Sequence, residues 1–320
     1  MPINSQIPFD QLRRDVYFRE DFTRLHARHG VVSATYDEFS CRTGIVPIAG
    51  ADRIDLETPW GYGGPIAENK EALDNGLTRW TDHVRQDLGA VAEFIRFHPF
   101  LDPAPHIKHL DMIEYNRDIV VIRCDADVNE RWKYYSDSTK NCIRKASSRC
   151  EIRLLTASDA RLFHEFYEAG LNRNLASNEY FFDQNFYPTL LASPWAKCWL
   201  ACSDDGAAAV ACFLHSDTDL CHYHLAGGND LSRKLNIHYA LIENAVMHYK
   251  GLGVRYMILG GGRSTDPNDA LLKFKRKFSP LVMPYFVGGK IYDYDAYIRY
   301  GGGRKKFLCE GLEPGRSERA

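Results

Sequence analysis

The chain has no C-x-x-C pair. Its nine cysteines, Cys41, Cys124, Cys142, Cys150, Cys198, Cys202, Cys212, Cys221 and Cys309, stand singly, several in apolar runs such as AAVACFLH. Zinc ribbons and thioredoxin-like redox sites need paired spacing, and a disulfide framework needs a short, cysteine-dense chain. Small core residues in a reducing compartment are the expectation. No stretch reaches the roughly 18 apolar residues of a membrane span. The opening MPINSQIPFDQLRRD has no apolar signal core, so a cytoplasmic protein is expected. Charge of one sign is also missing. Forty Lys+Arg against 42 Asp+Glu give −2, so attraction to nucleic acid or membrane must be local.

What remains is an ordinary soluble composition, 45% hydrophobic and 26% charged over 320 residues, with a length that favours two domains. Periodicity predicts a helix over 9–27, strands over 30–39 and 43–49, the turn TPWGYGGP at 58–65, a helix over 67–87 and a strand over 91–99. A strand at 118–123 and one amphipathic helix from Val128 to Ser148 follow. The theme then repeats: strand 151–156, helix 157–176 with Ser158 and Asp159 as caps, helix 183–192, and three strand runs, KCWLAC, AAAVACFLH and LCHYHLAG. The breaks DDG and SDTD predict hairpins. A helix over 232–250 leads to strand 256–259 and a short helix through 270–278. The parse is an α/β protein with an N-terminal domain of residues 1–150, a C-terminal domain of residues 151–300 and a tail of residues 301–320, frayed after Leu312.

The richest stretch lies between Cys221 and Tyr297. Gly260, Gly261 and Gly262 close a strand and precede a cation-rich helix, an arrangement that lets another group approach the backbone. On that helix Leu271, Phe274 and Phe278 share a face, with Lys275 at its edge and Lys273 and Lys277 solvated. In HYH, strand alternation places His222 and His224 on one face and Tyr223 on the other. No further ligand is spaced to make that pair a metal site. His224, nearer the glycines, fits a proton acceptor or a structural histidine. Trp60, Tyr62, Gly63 and Gly64 form an aromatic turn suited to sugar or peptide contacts, or to simple packing. Arg96 and His98 alternate on one strand, fit either to hold a phosphate or carboxylate or to make an internal salt bridge. Arg131, Lys133, Lys140, Arg144, Lys145 and Arg149 form a basic stretch that could meet tRNA phosphates or stay solvated.

Five of these segments, in this order, resemble the FemAB-like peptidyltransferases of the GNAT acyltransferase superfamily. TPWGYGGP resembles the family's Tyr-Gly-Gly-Pro turn, and EFIRFHP the strand after it. STKNCIRKA at 138–146 resembles its basic helix, which is followed by EIRLLT, a helix with Phe166, Tyr167 and Arg173, and the pair Tyr180–Phe181. YHLAGG resembles its Tyr-His-Leu-Ser-Gly strand end, with Ala226 where Ser is usual. LGGGRSTDPNDALLKFKRKFSP resembles its triple-Gly turn and Asp-x-Leu-x-x-Phe-Lys helix. The similarity runs from about 58 to 300.

The resemblance implies two tandem GNAT-like domains, each a mixed β-sheet flanked by helices, with the acceptor in the cleft between them and a C-terminal tail that can pack back on the first domain. It implies an N-acyltransferase that moves an acyl or aminoacyl group onto an amine of a cell-envelope, polysaccharide or secondary-metabolite precursor. The acceptor would be a small molecule or nucleotide sugar. The donor would be aminoacyl-tRNA, acyl-CoA or an acyl-carrier thioester, with no tightly bound cofactor and no metal. The chain lacks the Gly-rich acyl-CoA loop of single-domain GNAT enzymes, which weakens free acyl-CoA as donor. The helix opening at 232–234 is where a thioester donor's pyrophosphate could bind. The matching positions assign Lys275 as stabiliser of the oxyanion and Phe274 as a contact for the donor, with Trp60, Tyr62, Gly64, Arg96, His98, Tyr223, Gly261 and Arg263 as further substrate contacts. Ala226 keeps open the alternative of a non-catalytic sugar- or RNA-binding module.

Overall fold

The computed structural model describes residues 7–36, 38–304 and 306–311. In chain order its helices and strands are α1 (Phe9–Arg14), α2 (Glu20–His26), β1 (Val31–Tyr36), β2 (Phe39–Pro47), β3 (Ile54–Glu57), β4 (Ile66–Ala67), α3 (Lys70–Gln86), β5 (Ala90–Arg96) and β6 (Met112–Arg123). Then come α4 (Val128–Lys133), α5 (Asp137–Ser147), β7 (Glu151–Leu154), α6 (Ala160–Arg173), α7 (Phe186–Ala192), β8 (Ala196–Ser203), β9 (Gly206–Leu214) and β10 (Leu220–Gly228). The last are α8 (Asp230–Lys234), α9 (Ile237–Gly251), β11 (Tyr256–Gly260), α10 (Ala270–Arg276), β12 (Val282–Ile291) and α11 (Tyr294–Arg299). The expected α/β class is found.

Chain contacts gather into two compact units, residues 1–117 with 284–320 and residues 118–283. The sequence places the division near residue 150; the packing places it at 117/118. The reason is that α5 packs on α9, and Tyr135 and Ile143 enter the same core as Leu241, Ala245 and Met257. Residues 287–291 pair instead with β5. The backbone N–H of Cys309 donates to Asp55 Oδ2 at 2.6 Å, which holds this part of the tail on the first unit. The tail beyond 311 lies outside the described residues.

In the first unit the strand order is β1-β2-β3-β5-β12, with β4 on β2. β3 and β5 are parallel. α3 lays Leu73, Leu77, Trp80 and Val84 against Phe39 and Leu56. It sits close because residue 76 is glycine; a Cβ there would fall 2.2 Å from the Phe39 ring. The helix expected over 9–27 is broken at Asp15, whose carboxylate accepts from the Tyr17 backbone N–H at 3.1 Å and caps the turn Val16–Phe18.

In the second unit the order is β6-β11-β10-β9-β8-β7. Only β10 and β11 are parallel. β9 is buried from Ala208 to Leu214 without alternation, as expected of a strand covered on both faces. The helix expected over 128–148 is two helices, because Ser136 caps the second through the Thr139 N–H. The one expected over 232–250 breaks at Asn236, which is left-handed at φ 57°. Thr156 and Asp159, rather than Ser158, cap the segment leading into α6.

α4 is tied to α9 by a buried ion pair. Arg131 grips Glu243 at 2.6 and 2.9 Å, Trp132 Nε1 donates to the same carboxylate, and Tyr135 accepts from Arg131. The two side chains are only 4% and 12% exposed. Removing one partner strands a buried charge, at a cost of about 3 kcal/mol or more, whereas removing both does not. Arg131→Met is therefore expected to lower stability by about 3 kcal/mol in urea unfolding, and Arg131→Met/Glu243→Leu to recover most of the loss. Equal losses in the single and double variants would show that the pair is not coupled.

Burial pushes the imidazole of His238 down to about 4, helped by nearby Arg173. Burial also brings His26 to about 4, against a hydrogen bond to the Phe22 carbonyl. Both rings are neutral when folded but take up protons below about 6.5 when unfolded. Their contribution to stability is thus present above about 6.5 and lost as pH falls towards 4. Melting temperature should fall across that window, and His26→Gln/His238→Gln should flatten the fall relative to wild type. An unchanged slope in the double variant would refute the assignment.

Candidate active site

β10 and β11 are parallel neighbours over three pairs only: Leu220–Tyr256, Cys221–Met257 and His222–Ile258. Beyond these pairs each strand bulges against its other neighbour. β10 slips against β9 between Tyr223 and Leu225, leaving His224 as the extra residue. β11 slips against β6 between Ile258 and Gly260, leaving Leu259 extra. A bulge bends its strand and increases its twist. With one in each strand at the same level, Tyr223–Gly228 and Leu259–Gly260 continue without pairing to each other, and a wedge opens between them.

Three expected site residues converge there. Lys275, on α10, is 7% exposed. Its Nζ donates to the Gly261 carbonyl at 2.8 Å and lies 6.0 Å from the centre of the Tyr223 ring, at the reach of a cation–π contact. The inner face of α10 is Leu272, Lys275 and Phe278, not Leu271, Phe274 and Phe278, so the lysine sits within the buried face instead of at its edge. Phe274 is half-buried and packs edge-on against Tyr239 and Phe278, at 5.2 and 5.4 Å. Lys277 donates to the Tyr239 hydroxyl, and Arg276 pairs with Asp118.

Asp269 explains why α10 begins where it does. Its carboxylate accepts from Leu271 N, Leu272 N and Ser264 N. Burial raises its pKa, but these backbone donors and that of Arg263 outweigh burial and hold the carboxyl below its usual range. The glycines before it have internal reasons. Gly260 is left-handed at φ 77°, and a Cβ on Gly262 would fall 2.6 Å from the Asp269 carboxylate. Gly227, in YHLAGG, is likewise filled from within, since a Cβ there would lie 2.3 Å from the Phe166 carbonyl on α6.

The bulge at His224 interrupts the strict alternation expected of a regular strand. His222 is fully buried and His224 half-buried. Burial raises the Tyr223 hydroxyl well above its usual range. Arg263 is exposed. Sequence reasoning missed Arg173, which donates to the Gly228 carbonyl at 2.7 Å and lies 3.6 Å from Asp230. It also missed Asn229, whose side chain accepts from Ser232 N and caps α8; an Asn three residues before a Ser was the available signal.

The other expected contacts belong to the first unit. Arg96 is taken up by Glu57 at 2.6 Å and by the Thr58 carbonyl at 2.7 Å, so its fork is an internal salt bridge. His98 is wholly buried, with Nδ1 accepting from Phe100 N and Nε2 3.8 Å from Asp15. Tyr62 packs against Tyr17, His98 and Tyr285. Trp60 is half-buried, and Gly64 is left-handed at φ 96°. The turn is joined to the end of β5 by Gly63 N to Arg96 O and His98 N to Gly63 O, both 2.8 Å. Arg131 leaves the basic stretch for its ion pair with Glu243, while Lys133, Arg144, Lys145 and Arg149 are exposed.

Residues 135–276 match the acetyltransferase (GNAT) domain family. The crystal structure of FemX shares the fold with a TM-score of 0.68 at 10% identity, over 90% of this chain and 94% of that one. A domain assigned as the C-terminal domain of a lysylphosphatidylglycerol synthetase from Agrobacterium fabrum gives 0.61 at 14% identity, over 90% and 92%. L-PGS from Bacillus licheniformis gives 0.56 at 11% identity, over 79% and 81%. No curated protein matches the sequence. The parted strands, their bulges and Lys275 all fall inside the segment that matches the acetyltransferase (GNAT) domain family, and the α/β fold around it is shared with FemX.

Proposed function

We propose that this protein is an N-acyltransferase in which an amine attacks an activated acyl or aminoacyl carbonyl lying in the wedge between β10 and β11, without an acyl-enzyme intermediate. The GNAT domain supports acyl transfer as the reaction class. The observation that carries the site is the convergence of Lys275, Gly261 and Tyr223 where the strands part. Attack of the amine turns the carbonyl oxygen into an oxyanion. The buried ammonium of Lys275, held by Gly261, would stabilise that charge more strongly than an exposed one could, because little water screens it. The attacking nitrogen must lose a proton as the tetrahedral centre forms, and His224 on the bulge is the residue proposed to accept it. Collapse of the oxyanion then breaks the carbonyl bond to the donor's sulfur or ribose oxygen, and the departing thiolate or alkoxide takes up that proton.

The donor is proposed to be a thioester, acyl-CoA or an acyl-carrier conjugate, or aminoacyl-tRNA. A thioester fits the GNAT match. The exposed Lys133, Arg144, Lys145 and Arg149 favour a polyanion such as tRNA. The same cations favour the second reading, an RNA-binding module without turnover. The acceptor amine is assigned by resemblance to a cell-envelope, polysaccharide or secondary-metabolite precursor, and the protein to the cytoplasm. Among the described residues no helix is long and apolar enough to cross a membrane.

Incubation with labelled acetyl-CoA and with labelled aminoacyl-tRNA, each with an amine library and with or without RNase, tests the reading. Product from either donor is expected; RNase-insensitive product removes the tRNA donor, and no product from both removes catalysis. With the productive donor, Lys275→Met should lower kcat by about 100-fold with little change in KM. A loss below about twofold would take Lys275 out of the chemistry.

A further inference from the structure

A charged, open cavity lies wholly within the first unit, on residues that the proposed acyl transfer does not use. It is lined by Arg19, Glu20, Asp21, Arg24 and Arg42 and is an open depression with room for about 490 Å³, within the range of small-molecule sites. α2 lies over β2 here. Gly44 permits the close fit, since a Cβ there would fall 2.9 Å from the Ala27 Cβ. Arg42, two residues earlier on the same strand face, lines the space that remains.

The charges in this cavity are not balanced. Arg19 grips Asp21 in bidentate fashion at 2.9 and 2.8 Å, and Arg24 holds Glu20 at 2.8 Å. Arg42 is different. Its Nη1 donates to the Phe18 carbonyl, and its Nε is buried with no hydrogen-bond partner. Among the described residues it has no ion pair. Burial lowers its pKa, with partial opposition from the nearby charge of Glu20, yet a guanidinium stays protonated in a protein. A half-buried cation with an unmet donor is unfavourable unless an anion meets it.

We propose that this cavity binds a small molecule bearing a phosphate or carboxylate at one end, held by Arg42, and hydroxyl or ammonium donors at the other, received by Glu20 and Asp21. A planar guanidinium suits either oxyanion. An ionised carboxylate already engaged by an arginine still has lone pairs for further donors. The cavity exceeds what an inorganic ion fills, which is why the ligand carries a polar body.

Calorimetric titration of the full chain at low salt with a hexose 6-phosphate, with gluconate and with inorganic phosphate tests this. At least one of the first two is expected to saturate the protein below about 1 mM and to bind more tightly than inorganic phosphate; which one does so identifies the oxyanion. Arg42→Gln should weaken that binding at least tenfold, about 1.4 kcal/mol. In the wild-type protein, the same ligand should protect Arg42 from phenylglyoxal, read by mass spectrometry of its peptide, a measurement that does not depend on how the variant folds. No saturation by either probe up to about 10 mM, undiminished binding by Arg42→Gln, or unprotected Arg42 would overturn the proposal. Because the cavity and the wedge use different residues, neither result bears on the acyl-transfer assay.

Discussion

The parting of β10 from β11 is the constraint on which the site depends. Parallel strands form an evenly spaced ladder, and a neighbour can be released only where the ladder is broken. Here both strands break together, through His224 on one side and Leu259 on the other, so the opening lies inside the sheet and not at its edge. The surrounding sheet supplies rigidity. β9 and β8 pair along their full length, α6 clamps β10 through Gly227, and α9 and α5 close the other core.

Burial gives the charges of this protein their different meanings. Arg131 is buried and its two terminal nitrogens are answered by Glu243 and Tyr135, so it holds α4 to α9. Lys275 is buried, with its Nζ donating to the Gly261 carbonyl and facing the Tyr223 ring. Arg42 is half-buried with one carbonyl. A cation answered by a carboxylate is structural by default, whereas one such as Arg42, with no ion pair among the described residues, retains its field for a ligand. The same reasoning separates Arg96, taken by Glu57, from the anion-holding role its strand position allowed.

Local signals were legible where one short stretch of chain decides the outcome. The DDG and SDTD hairpins follow from residues next to one another, and both are found, as β8–β9 and β9–β10. The helices misread as continuous, 9–27, 128–148 and 232–250, fail at Asp15, Ser136 and Asn236. There a side chain offers the backbone a hydrogen bond that competes with the helix, or the backbone turns left-handed. The boundary at 150 fails for a longer-range reason: α5 is amphipathic, and nothing in its own residues says which sheet it will cover.

The sequence by itself determined the α/β class, the order of the elements and the list of residues able to do acyl-transfer chemistry, because patterning, turn residues and side-chain chemistry are local properties. Only the tertiary structure decided which of those residues meet. Bulges at His224 and Leu259 are set by cross-strand register, the Gly261 contact of Lys275 by the packing of α10, and the place of Arg42 by where α2 lands on β2. Each depends on segments far apart in the chain, whose contacts exist only once the fold has brought them together.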